Sequence, residues 1–203
     1  MKVDGKLVQT KTRNSHMAMK VALRAAHLPK ADPVRVLDCY AGEGVIWKAV
    51  EKKTGRKFEI TAIDIEKPKK RRVQLTGDNM KFIPSLDLSK FDVIDLDAYG
   101  FPGKQLEAIF EKYRERPFKA EVFVTFIKVG FHAPGAGIPR LVLEACGYSK
   151  DMIKKCPTLF MRNALEKVKI FLAENGVSEI NRRSTKDGGA AKHYFHFTLD
   201  IRS

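Results

Sequence analysis

From residue 34 onward, short β-branched runs alternate with apolar residues at helical spacing, which predicts a layered α/β domain with a largely parallel sheet. Strands are expected over 34–38, 59–64, 72–75, 91–96, 121–127, 177–183 and 192–201. Apolar residues three and four apart predict helices through Met17, Val21, Ala25 and Leu28, through Val45, Ile46, Ala49 and Val50, and through Leu106, Ile109, Phe110 and Tyr113. Two later helices run through Ile138, Leu141, Val142 and Ala145 and through Ala164, Leu165, Val168, Phe171 and Leu172, the second stopping at Asn175 and Gly176. Only a short polar segment, Ser184 to Gly189, separates the last two strands. They must pair antiparallel, because a parallel return needs a dozen or more residues. The expected fold class is therefore α/β, seven-stranded, mostly parallel with a C-terminal antiparallel hairpin and helices on both faces.

With 203 residues and no composition break, the chain reads as a single domain over 1–203. Within it, 1–30 is expected to be an N-terminal arm and helix, and 129–160 an insertion on the substrate side. Apolar runs stop well short of the roughly 18 to 20 residues that a bilayer span needs. The first 16 residues carry no apolar signal-peptide region, so a cytoplasmic location is expected. Cys39, Cys146 and Cys156 form no C-x-x-C pair, which supports neither a disulfide framework nor a zinc ribbon. The formal charge of +14 points to a polyanionic partner, most simply nucleic acid, although a solvated surface accounts for part of it.

Candidate chemistry gathers at the carboxyl ends of successive strands. The first runs into Asp38, then a small-residue turn of Ala41, Gly42, Glu43 and Gly44, then a helix start. Glycines let a ligand approach the backbone, and a helix N-terminus points free N–H groups into the same space, though many α/β turns need glycine for sterics alone. A nicotinamide site would want G-x-G-x-x-G, and Trp47 occupies the third glycine position. Asp64 ends the second strand, where a carboxylate can accept from both ribose hydroxyls. Asp78 and Asn79 follow the third.

These ordered motifs resemble the class I S-adenosylmethionine (SAM)-dependent methyltransferases, over residues 34 to about 130, and the terminal hairpin extends the likeness to nearly the whole chain. The resemblance implies a Rossmann-like methyltransferase sheet with SAM as cofactor. It implies that Ala41, Gly42 and Gly44 embrace the methionine part, that Asp64 holds the ribose and that Asp78 meets the adenine. Asp38 matches the acid that positions the cofactor's amino group. Asn79 and Asp95 are counted with the cofactor residues.

The fourth strand delivers Asp95, Asp97, Ala98, Tyr99, Gly100 and Phe101. A base amine is a poor nucleophile until an acceptor orients its N–H bonds, and an aromatic ring can hold the base by its face. Asp97 and Tyr99 have that composition, and a plain strand-end turn with a buried tyrosine is the alternative. The segment resembles the motif of methyltransferases that modify base amino groups, closest to the guanine N2 type of tRNA and rRNA enzymes, with Ala98 in place of the motif's proline. It implies Asp97 and Tyr99 as the catalytic pair, with Phe101 beside the substrate.

A basic run, Lys67 to Arg72, supplies Lys69, Lys70, Arg71 and Arg72 as candidate phosphate contacts, or a solvated loop. Lys48, Lys52, Lys53, Arg56 and Lys57 lie close by in sequence. The glycine- and proline-rich stretch 129–139 reads as a lid offering Phe131 and His132 to a base, or as a connector. No metal is expected, since HExxH and helical histidine pairs are absent. Asn14 or Ser15 is expected to cap the first helix, and Lys11 and Arg13 to meet the SAM carboxylate. The expectation is methylation of a nucleic acid, RNA before DNA. A binding module without turnover, or a methyltransferase acting on protein or a small molecule, stays open.

Overall fold

The computed structural model describes residues 2–3, 6–7, 16–65, 75–98, 100–127, 140–155, 163–187 and 190–200. A short antiparallel ladder pairs Lys2 and Val3 with Leu7 and Lys6. Helix α1 (Met17–Ala26) precedes strand β1 (Val34–Asp38), α2 (Val45–Thr54), β2 (Phe58–Asp64), β3 (Leu75–Thr76) and β4 (Val93–Leu96). Then come α3 (Gly103–Glu115), β5 (Ala120–Ile127), α4 (Arg140–Ala145), α5 (Lys150–Lys155), α6 (Ala164–Glu174), β6 (Asn181–Asp187) and β7 (Ala190–Leu199).

The seven strands form one sheet in the order β3-β2-β1-β4-β5-β7-β6. The first five run parallel, and β7 is antiparallel to both β5 and β6. The expected seven-stranded sheet with an antiparallel end is what the chain forms. Strand order reverses between β1 and β4, and at such a reversal α/β sheets of this kind form their ligand crevice, at the carboxyl edge.

Side-chain alternation along each strand separates two cores. On one face Val34, Val36, Val93, Phe123 and Tyr194 pack under α1 and α2. On the other, Leu37, Ile94, Leu96, Val122, Phe195 and Phe197 pack under α3, α4 and α6. Trp47 of α2, 1% exposed, is wedged into the first core, with its ring tilted against Phe58 at 5.3 Å and edge-on to Phe123 at 6.3 Å. The side chain that rules out the close packing of a third glycine is thus itself a core residue.

Several boundaries differ from the sequence expectation. Strand β6 starts at Asn181, not 177, because Val177 turns inward at the end of α6, its N–H donating to Leu172 O at 3.1 Å. The strand then continues through the polar residues expected to form the connection, and the last register pair is Asp187 with Ala190. Helix α5 and three 3₁₀ turns between residues 79 and 90 were not expected. The N-cap position of α1 falls on His16, at φ +66° and with no capping hydrogen bond from its side chain; Asn14 and Ser15, expected there, lie outside the described residues, as do Lys11 and Arg13. No described helix is long and apolar enough to cross a membrane.

Candidate cofactor and reaction site

Beyond Asp38 the chain folds into a tight turn, with Ala41 N–H donating to Ile63 O (3.1 Å) and Gly44 N–H to Ala41 O (2.8 Å). Gly42 and Gly44 have φ of +46° and +66°, where a side chain is strained. A Cβ on Gly42 would meet nothing within 4 Å. The backbone demands glycine there, and the space above it is open. Asp64, at the end of β2, reaches across to accept the Gly42 N–H at 2.7 Å. One carboxylate oxygen therefore fixes the turn from the neighbouring strand.

Asp78 stands exposed at the same edge and caps the following 3₁₀ turn by accepting from Met80 N–H at 3.0 Å. Asn79 differs from expectation. It is buried, donates to Cys39 O (3.1 Å) and accepts from Gln105 (2.8 Å), so its amide braces the β1 end against α3. Burial pushes the adjacent Tyr40 phenol up to about 12 against the hydrogen bond it shares with Asn79.

At the end of β4, Asp95 and Asp97 point to the sheet face covered by α1. Arg24 grips Asp95 with Nε to Oδ2 at 2.8 Å and Nη2 to Oδ1 at 2.6 Å, both side chains 1% exposed. One helical turn earlier, Lys20 Nζ lies 2.6 Å from Asp97 Oδ2, while Thr125 of β5 donates to Oδ1. Two residues of strand span roughly 6.6 Å and four of helix about 6 Å, so a helix laid antiparallel to β4 meets two carboxylates with two cations. Burial disfavours the Asp97 carboxylate. The charges of Arg24 and Lys20 and the bonds from Lys20 and Thr125 outweigh burial and hold the acid below its ordinary range. Burial raises Asp95, against the pull of Arg24. Asp95, expected at the cofactor, is committed to α1 instead.

Phe101 is half-buried and packs edge-on to Phe126 (5.5 Å) and Phe171 (6.3 Å), on the core side of α6 rather than in the crevice. Tyr99, Phe131, His132, Lys69, Lys70, Arg71 and Arg72 lie outside the described residues. The structure thus brings Asp38, Gly42, Gly44, Asp64, Asp78 and Asp97 to one edge. It adds Lys20, Arg24 and Thr125, which the sequence reading passed over. Their signal was present: Lys20 and Arg24 interrupt the apolar stripe of α1 four residues apart, and charges on a buried face need partners.

No family model matches the chain, and no curated protein resembles it in sequence. Solved structures do resemble it. A SAM-dependent methyltransferase from Archaeoglobus fulgidus superposes with a TM-score of 0.51 at 12% identity, over 89% of this chain and 93% of that one. The fold is that of the class I methyltransferases. An rRNA-methylase candidate from Clostridium thermocellum gives 0.51 at 12% identity, over 91% and 97% of the two chains. A precorrin-6y C5,15-methyltransferase from Geobacter metallireducens gives 0.50 at 12% identity, over 94% and 92%. The names of these neighbours, an rRNA-methylase candidate and a precorrin methyltransferase, point to unlike substrates, so the fold alone does not select one.

Proposed function

We propose that the protein is a SAM-dependent methyltransferase that modifies an exocyclic amine of a nucleic-acid base, RNA before DNA. The observation that carries the reading is the Asp97 carboxylate, oriented at both oxygens beside the crevice between β1 and β4. The cofactor's requirements fit this edge. Open space over Gly42 suits the methionine portion, the Asp64 carboxylate suits the ribose hydroxyls and exposed Asp78 suits the adenine. Held by the Gly42 turn, Asp64 and Asp78, SAM would supply a methyl group on a sulfonium, which the amine nitrogen would take as the C–S pair passes to sulfur and the surplus proton to water.

The electrostatics of the site favour a neutral nucleophile. Asp97 and Asp95 are already paired with Lys20 and Arg24, so the carboxylate at the proposed reaction centre offers a hydrogen-bond acceptor rather than a free charge. A base amine is uncharged and needs only an acceptor, and each Asp97 oxygen keeps a lone pair for it. The chain's surplus of 14 positive charges, with Lys48, Lys52, Lys53 and Lys57 exposed along and just beyond α2, suits a phosphate backbone.

The test is incubation with labelled SAM and separate pools of tRNA, rRNA and DNA, followed by nucleoside analysis. A methylated amino base in an RNA pool is expected. Label on protein or a small molecule alone would overturn the reading, and salt-sensitive binding with no S-adenosylhomocysteine formed would leave a binding module.

A further inference from the structure

We propose that Lys20 is a positioning residue of the reaction centre, fixing the Asp97 carboxylate in one orientation and in its ionised form so that it serves as hydrogen-bond acceptor for the substrate amine and not as its base. This rests on the reading of Asp97 given above and extends it to a helix some 77 residues distant in sequence.

The geometry separates Lys20 from a mere fastening of α1. Arg24 already clamps the helix through a pair of side chains each 1% exposed, with Val21 and Leu23 buried alongside. Lys20 lies one turn further toward the carboxyl edge, with side-chain exposures of 11% for Lys20 and 10% for Asp97. Its ammonium sits 5.8 Å from the Tyr194 ring of β7. Desolvating an ammonium is costly, and a methionine would pack there without that cost. What the lysine adds is a charge on Oδ2 opposite the hydroxyl on Oδ1, and two anchored oxygens leave the carboxylate no freedom to rotate.

The groups acting on Asp97 are Lys20 and Arg24 from α1, Asp95 from its own strand and Thr125 from β5, with Asp38 of β1 acting on Arg24. Two cations next to it keep Asp97 charged at neutral pH, and a carboxylate so stabilised is a weak proton acceptor. The proton released from the methylated amine goes to water.

The test compares Lys20→Met, which keeps the stem and removes the charge, with Lys20→Arg, which restores it. Carbon-13 carboxyl titration, with Asp97→Asn used to identify the resonance, should find the Asp97 midpoint raised by roughly 1 to 3 pH units in Lys20→Met, the range for loss of an adjacent opposite charge, and returned toward wild type in Lys20→Arg. Single-turnover methylation should show its acid limb moved upward by the same amount, with S-adenosylhomocysteine affinity unchanged. An unmoved midpoint and acid limb in folded Lys20→Met would overturn the proposal and leave Lys20 a packing residue. If the wild-type protein methylates no nucleic acid, the proposed function fails instead, and the titration still decides whether Lys20 governs Asp97.

Discussion

Replacing Arg24 by methionine keeps an unbranched side chain near Trp47 and Phe123 but removes the guanidinium that lies 6.0 Å and 5.4 Å from those rings. Three hydrogen bonds disappear, two to Asp95 and one to Lys20 O at 3.1 Å. The larger loss is that Asp95, 1% exposed, keeps its charge with no counter-ion in contact, or must take up a proton. Breaking a buried pair in this way costs about 3–5 kcal/mol. Domain stabilities are about 5–15 kcal/mol, so the variant should be marginal. At about 2–4 °C per kcal/mol for a chain of this size, its melting temperature should fall by roughly 6–20 °C. The double variant Arg24→Met with Asp95→Leu replaces both charges by apolar groups and should recover most of the loss. Urea unfolding of wild type, both single variants and the double variant closes a mutant cycle. A folded Arg24→Met variant losing under about 1 kcal/mol, or a double variant with the summed cost of the singles, would refute the reasoning.

Asp64→Ala removes the acceptor that fixes Gly42 and the expected ribose partner, so calorimetry should find S-adenosylhomocysteine binding weakened by roughly 1.5–3 kcal/mol. Asp97→Ala should slow single-turnover methylation on the order of 100-fold while leaving cofactor affinity within a factor of about two. His27 stacks on His196 at 4.0 Å, and burial, then the neighbouring imidazole, hold its pKa below the ordinary value. Its unfolded form therefore binds protons first: the stability it confers is complete above about pH 6.5 and declines as pH falls toward the folded pKa. In denaturation curves at pH 7.5 and 5.5, His27→Phe should show less of this decline than wild type. Replacing Lys48, Lys52 and Lys53 by alanine should flatten the dependence of log affinity for nucleic acid on log salt concentration by up to about 3, and an unchanged slope would return this face to bulk solvent.

How far the sequence alone carries depends on whether a residue's partner is local. Strand β1 falls at its expected bounds because Val34, Val36 and Leu37 are fully buried and both neighbouring strands pair with it. Strand β6 is an edge strand whose Arg182, Arg183 and Ser184 face solvent, so its limits follow the backbone register with β7 and no apolar signal marks them. The glycine turn and Asp64 were legible, since positive φ and a strand-end carboxylate each leave a trace in one segment. The Lys20 and Arg24 pairs were not, because each joins residues more than 70 positions apart and neither segment alone says which acid meets which base. Asn79 and Phe101 were placed at the crevice by their position in the chain. Their contacts with Gln105 and Phe171, made only once α3 and α6 have packed, turn them to bracing and core roles.

The long reach of the α1 ion pairs has a consequence for how the chain comes off the ribosome. Arg24 is synthesised 71 residues ahead of Asp95, and at about 5–20 residues per second that interval lasts roughly 4 to 14 s. Throughout it, α1 carries an apolar stripe with two cations in the middle, and β1 and α2 are made long before the β4 carboxylates that pair with those cations. Unpaired, the two charges stay hydrated and make the helix a poor seed for self-association. The same two residues that pin the helix once β4 and β5 arrive thus act as gatekeepers while it waits. A nascent chain carrying both Lys20→Leu and Arg24→Leu should lose that protection during synthesis, whatever the stability of the finished fold.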